Sequence, residues 1–255
     1  MVTPIAHRGA SLFAPENTMA AFKLAYDMGM QNIECDVILT ADKVPVLIHD
    51  SNLSRTTNGQ GLVNESSYAY LQSLDAGSWF HPNFSGTQIP KLSELLQWQQ
   101  QTEVTLHIEI KPLALQNFSE DFAIIMDTIY QTGDLKKIKI LSFQDQIIQQ
   151  LLQNHHTLPR ILEVIDCQPE TIKKAVVHGC EQINISHKII TPNLINSLRL
   201  AGLKVGVFTI NDLDEIKKLG AFSIDEIFTD NPNLFYANEN LIINHTHAPL
   251  TSSFR

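Results

Sequence analysis

The residues best suited to chemistry crowd into the first fifty positions: His7-Arg8-Gly9, Glu34-Cys35-Asp36 and His49-Asp50, with Pro15-Glu16-Asn17-Thr18 between the first two. Glu34 and Asp36 lie two apart in the run from Asn32 to Leu39. On a strand, that spacing turns both carboxylates to one face and Cys35 to the other. Glu109 repeats the situation further on, with Lys111 two residues later on the same face. Acids turned into an interior repel one another and are costly unless a cation or a proton sits between them. One such acid reads as a solvent-facing group or half of an ion pair; three, each set in an apolar run, read as a ligand set. Oxygen donors without a thiol suit a hard cation, Mg²⁺ or Ca²⁺, and spacing does not choose between the two. A cation so held polarises a phosphoryl oxygen and clamps a hydroxyl.

His7 and His49 each end an apolar run at a loop. Breaking a P–O bond needs a base for the nucleophile and an acid for the leaving alkoxide, and imidazole titrates in the right range. A lone histidine at a strand end is more often structural; two beside paired acids read as an acid/base pair. Arg8, a planar fork, and Lys111, a point charge, are the candidates for phosphate oxygens, and both also balance the acids. The other eight histidines, among them His155-His156, His245 and His247, lack such surroundings. His107 shares a face with Glu109 but lies deeper in its strand, and reads as a packed interior group. Thr209 and Asn211 follow another strand as donors to substrate oxygens, although Asn211 serves equally as a helix cap. Trp79 and Phe80 offer an apolar wall over the site.

These residues need a scaffold that brings strand ends together. Val2 to Ala6, a helix capped by Asn17 or Thr18 and stopped by Gly29, and Asn32 to Leu39 form a strand–helix–strand opening, which implies a parallel sheet. From Leu92 the alternation resumes. Helical patterns fall at about 91–101, 119–132, 144–155, 169–178, 191–201 and 211–219, with strand-like runs Val104–Ile110, Ile138–Leu141, Arg160–Val164, Gln182–Ile185, Leu203–Phe208 and Glu226–Phe228 between them. Repeated βα units over 255 residues, with no glycine-rich phosphate loop after the first strand, favour an α/β fold of the (β/α)₈ TIM-barrel type over an open doubly wound sheet. Nine runs compete for eight places. The link from Leu39 to Val44 is too short for a helical crossover, so it is either a helix-free return or one of its two runs lies outside the barrel. The expectation is one catalytic domain over 1–237, a small inserted subdomain at about 51–95, and an irregular tail over 238–255.

A net charge of −9 argues against wrapping nucleic acid or settling on an anionic membrane, while local cations or a metal still admit an anionic phosphate. Three cysteines without paired spacing indicate neither a disulfide framework nor a zinc site. No basic segment leading into an apolar stretch opens the chain, and no run approaches the length of a membrane span. The expected location is the cytoplasm, with no stable membrane association. The sequence leaves the oligomeric state, a homodimer included, open.

In order along the chain, His7-Arg8-Gly9, Pro15-Glu16-Asn17-Thr18, Glu34-Cys35-Asp36-Val37, Thr40-Ala41-Asp42, His49-Asp50, Arg55-Thr56-Thr57, Glu109-Ile110-Lys111, Ser142-Phe143, Thr209-Ile210-Asn211 and Thr229-Asp230 resemble the glycerophosphodiester phosphodiesterase family. The resemblance implies a TIM barrel that uses a divalent cation to hydrolyse small glycerophosphodiesters, such as glycerophosphocholine or glycerophosphoethanolamine, to an alcohol and sn-glycerol 3-phosphate. It places the acid/base pair on His7 and His49, the metal carboxylates on Glu34, Asp36 and Glu109, and the phosphate-binding cations on Arg8 and Lys111. It also makes 51–95 the substrate-side insertion. Family members carry Trp where this chain has Phe208; the smaller ring keeps an apolar substrate contact and loses the indole N–H. Two alternatives remain: a phospholipase D acting on lysophospholipids or sphingomyelin, and a phosphodiester-binding protein without turnover.

Overall fold

A computed structural model describes residues 2–155, 157–220 and 222–236, so the expected tail over 238–255 lies outside the described residues. In chain order the elements are β1 (Thr3–Ala6), α1 (Met19–Asp27), β2 (Asn32–Leu39), β3 (Pro45–Leu47), α2 (Tyr68–Gln72), α3 (Leu92–Gln99), β4 (Thr105–Ile110), α4 (Phe118–Thr132), β5 (Ile138–Ser142), α5 (Asp145–Asn154), β6 (Arg160–Val164), α6 (Pro169–Val177), β7 (Gln182–Ser186), α7 (Pro192–Leu200), β8 (Lys204–Phe208), α8 (Leu213–Leu219), β9 (Glu226–Thr229) and α9 (Asn233–Tyr236). All strands but β3 run parallel, in the order β1-β9-β8-β7-β6-β5-β4-β2, and β1 meets β2 at Ala6 and Ile33 to close the ring. This is a (β/α)₈ TIM barrel.

Strand alternation divides the side chains. Ile33, Cys35 and Val37 of β2 point outward into the layer between sheet and helices, with Ile108, Ile140, Ile183, Ile185, Val205 and Val207. Ile5, Leu141, Ile161 and Phe228 pack inside the ring, with Phe208 against them. The remaining inward positions are largely polar, and they include both acids of β2. The parallel register sets Asp36 opposite Glu109 on β4 and Glu34 opposite His107. Adjacent strands lie about 4.8 Å apart, so the pairing alone brings carboxylates from two strands into one cluster.

The ninth run is β3, which lies outside the ring and pairs antiparallel with Val37 to Leu39 of β2. A tight turn makes the return: Lys43 adopts φ 61°, and the Thr40 hydroxyl accepts from the Val44 N–H at 2.9 Å. The segment that follows has its own small core of Leu53, Val63, Leu71, Leu74, Ala76 and Ile89 against Val46 and Ile48. Asp75 accepts N–H bonds from Gly77, Ser78 and Gly86, which ties the outer loop together. Elsewhere the helices up to α8 lie within a residue or two of the sequence-derived ranges, and the short α9 falls where none was expected. The last long one begins at Leu213 rather than 211 because Asp212, not Asn211, caps it, accepting from the N–H groups of Asp214 and Glu215.

Candidate active site

The loop after β1 has an unusual backbone. Arg8 (φ 57°) and Gly9 (φ 83°) are both left-handed, and a Cβ on Gly9 would fall 2.6 Å from the Ala21 backbone of α1, so only glycine fits. The reversal turns the Arg8 N–H onto Glu34 Oε2 at 2.8 Å. Asn17, also left-handed at φ 56°, braces the neighbouring acid: its Nδ2 donates to Asp36 Oδ2 at 2.7 Å and its Oδ1 accepts the Asp36 N–H at 3.0 Å. Thr18 then caps α1 through the Ala21 N–H, a contribution of about 1 kcal/mol.

Glu34, Asp36 and Glu109 are all buried, and one oxygen from each lies within 4.8 Å of the other two. Lys111 Nζ stands 2.7 Å from both Asp36 Oδ1 and Glu109 Oε1, and Arg8 Nε stands 3.2 Å from Asp36 Oδ2. Burial alone would raise the Asp36 carboxyl, yet Lys111 and Arg8 hold it well below the usual carboxylate range. Glu34 is pushed well above that range by burial and by the Asp36 charge. Glu109 is raised likewise, by burial and by Glu163 and Asp36. The cluster thus has more negative charge than its two cations neutralise, and its donors are all oxygens. Both features fit a hard divalent cation.

The two histidines face carboxylates of their own. His7 Nδ1 lies 2.7 Å from Asp230 Oδ1, and His49 Nδ1 lies 2.6 Å from Asp50 Oδ1. A carboxylate only accepts, so Nδ1 carries the hydrogen in both rings and Nε2 remains to exchange a proton. Burial works against ionised Asp230, yet bonds from His7, Asn211 and Ser11 hold it at about 2. Asp50 is held at about 2 by Arg55, ahead of His49. Burial lowers His49 itself, and Arg8 and Lys111 reinforce the effect against the opposing pull of Asp36.

Residues 7–234 match the Glycerophosphoryl diester phosphodiesterase family. The chain belongs to that family. It is 30% identical over 242 residues to a glycerophosphodiester phosphodiesterase of Caldanaerobacter subterraneus subsp. tengcongensis, covering 89% of this chain and 93% of that one. Among solved structures, an Oleispira antarctica phosphodiesterase in complex with the product sn-glycerol-3-phosphate matches with a TM-score of 0.86 at 32% identity, over 90% of this chain and 93% of that one. A glycerophosphodiester phosphodiesterase from Agrobacterium tumefaciens matches with a TM-score of 0.78 at 31% identity, over 93% and 100% of the two chains. The enzyme class is accordingly that of a glycerophosphodiester phosphodiesterase.

In this family member the expected residues do not all stand alike. His7, Arg8, Glu34, Asp36, His49, Glu109 and Lys111 gather at the C-terminal end of the barrel, the end where TIM-barrel enzymes do their chemistry. Asn211 stands one step back: its Nδ2 donates to Asp230 Oδ2 at 2.5 Å and its Oδ1 accepts the Asp230 N–H at 2.8 Å, so it steadies the partner of His7. Phe208 ends β8, rests on the inner apolar cluster and meets Phe143 edge-on at 5.9 Å. Trp79 packs on Phe80, and Phe80 on Phe84, in a series of edge contacts within the insertion. His107 is wholly buried and lowered to about 4 by burial, consistent with a neutral interior group. Of the histidines set aside, His156, His245 and His247 lie outside the described residues.

Asp50, Asp230 and Glu16 stood in sequence motifs without a role, and Glu163 was not singled out. Glu16 accepts from both Arg8 and Arg55 at 2.8 Å and so joins the first loop to the insertion. Its signal was its place in the Pro15–Thr18 segment, where Asn17 and Thr18 already had work. Glu163 had none, being one acid in an ordinary apolar strand.

Proposed function

We propose that this enzyme hydrolyses small soluble glycerophosphodiesters, glycerophosphocholine or glycerophosphoethanolamine among them, to an alcohol and sn-glycerol 3-phosphate. The observation that carries the reading is the convergence of three buried carboxylates with two aspartate-backed imidazoles at one barrel mouth. The Oleispira antarctica relative, whose structure holds sn-glycerol-3-phosphate, supports the same product.

Glu34, Asp36 and Glu109 are the residues that would hold a divalent cation, Mg²⁺ or Ca²⁺. When bound, such an ion supplies Lewis-acid polarisation of the phosphodiester and offsets its charge. Arg8 and Lys111 flank the same cluster and complement the phosphate oxygens, Arg8 being oriented by Glu16. His49, lowered and therefore neutral at pH 7, accepts the nucleophile's proton at Nε2 while Asp50 holds the imidazolium that results. His7, oriented by Asp230, gives a proton from Nε2 to the departing alkoxide. Phe208 supplies an apolar edge for the alcohol group, and Asn211 acts through Asp230. The unpaired cysteines, Cys35 fully buried among them, fit a reducing cytoplasm.

The test is sn-glycerol 3-phosphate release from the two diesters after chelation, then with Mg²⁺ or Ca²⁺ restored. Release that disappears and returns with one ion supports the reading and names the ion. A folded protein that releases none under either ion refutes it, and turnover of lysophospholipid in vesicles would then redirect the substrate to lipids.

A further inference from the structure

Beside the three carboxylates the barrel interior contains a fourth, and a chain of side chains that aims it. Glu163 of β6 is buried and lies within hydrogen-bonding reach of the Glu109 carboxylate, while its Oε2 is otherwise without a partner. Its Oε1 accepts from Asn184 Nδ2 at 3.1 Å. The Asn184 Oδ1 accepts from Gln182 Nε2 at 2.8 Å, and the same Gln182 nitrogen donates to Glu226 Oε2 at 2.6 Å. Lys139 from across the barrel holds Glu226 Oε1 at 2.5 Å.

The chain has only one polarity. Glu226 is an acceptor, so Gln182 must present its amide nitrogen; Asn184 must then present its oxygen to Gln182 and its nitrogen to Glu163. Strand register explains how it reaches that far: Glu163 is level with Asn184, Asn184 with Gly206, and Gly206 with Glu226. At Gly206 the layer has no side chain, and the two amides occupy that space. A Cβ there would fall 2.1 Å from Asn184 Oδ1 and 2.8 Å from Gln182 Nε2. An interior carved at one strand to seat two amides that end on a carboxylate beside Glu109 is more than filling.

We propose that Glu163 is a positioning residue for the cation site: seated by the Gln182–Asn184 relay laid across Gly206, it is held as a further carboxylate beside Glu109, and its negative charge tightens divalent-cation binding. This rests on reading Glu34, Asp36 and Glu109 as that site. Residues that support a metal ligand in this way are worth about 10–100-fold in affinity.

The test is calorimetric titration of metal-free protein with MgCl₂ and CaCl₂, for wild type, Glu163→Gln and Gly206→Ala. Glu163→Gln should weaken binding about 10-fold or more, and saturating cation should restore kcat, since the substrate contacts are untouched. Gly206→Ala alters no carboxylate and displaces the relay, so it should weaken binding in the same direction by several-fold; it also decides the matter if Glu163→Gln does not fold. Unchanged or tighter binding in a folded variant overturns the inference alone. A wild type that binds neither ion overturns the site reading and the inference together.

Discussion

The two histidine–aspartate pairs reach the barrel mouth by different routes. His7 and Asp230 are 223 residues apart, and the β1–β9 pairing brings them together. Asp230 is fixed from several sides, by Ser11 at 2.9 Å, by Asn211 twice and by His7. His49 and Asp50 are sequence neighbours beyond the antiparallel β3. Their support is the inserted segment, through Arg55 at 2.5 Å from Asp50 and thence to Glu16 and Arg8. His7 is 18% exposed and His49 34%, and Arg55 is 43% exposed. One pair belongs to the barrel; the other depends on a tether between the insertion and the first loop.

Removing the rings tests the pairing most strongly. His7→Ala and His49→Ala should each lower kcat by about 10²–10⁴-fold, as expected for a lost acid or base. With a p-nitrophenyl leaving group, which departs without protonation, His7→Ala should recover most of its rate and His49→Ala little. Recovery in the opposite variant would exchange the two roles.

The aspartates should separate the two routes. Asp230→Asn loses a well-anchored orienting group and should cost on the order of 10²-fold in kcat, while Asp50→Asn, on the more exposed pair, should cost less. Equal losses in the two would remove the contrast between them.

Arg55→Ala cuts the tether. Its bonds to Asp50 and Glu16 are solvent-accessible, so stability should fall by only about 1 kcal/mol, measured by thermal unfolding. KM for glycerophosphocholine should rise because Glu16, which orients Arg8, loses its other partner, with kcat lowered several-fold through Asp50. An unchanged KM would dissociate Arg8 from substrate binding.

The smallest effects are in pH dependence. His49 is lowered from 6.5, so its neutral form persists below that pH and the acid limb of kcat/KM should lie under 6.5. Asp230 is lowered from 3.8 to about 2; the stability it supplies is complete above pH 3.8 and is lost as pH falls toward 2. That contribution is at most about 2 kcal/mol. Asp230→Asn should therefore flatten the decline in unfolding free energy across that interval, and a parallel decline would show that Asp230 is not its source.

Much of this was legible because period-two alternation and strand ends leave strong marks. Glu34 and Asp36 had to share a face, and His7 and His49 had to stand at loops, whatever the barrel's closure. Glu163 and Gly206 show where legibility stops. An acid in an apolar strand and a glycine in another look unremarkable until register sets Asn184 between them. Asn211 is intermediate: its position after a strand was evident, but whether it capped a helix, met substrate or braced Asp230 depended on which neighbour came within 3 Å.

The sequence by itself determined the βα rhythm, the carboxylate and histidine set and the oxygen-only donor chemistry, because these depend on residue type and short-range spacing. Only the tertiary structure decided that β3 stands outside the ring, that Asp230 backs His7, and that a fourth buried carboxylate lies beside the other three. Those outcomes depend on strand order and register, which bring together residues tens to hundreds of positions apart and leave no local trace in the chain.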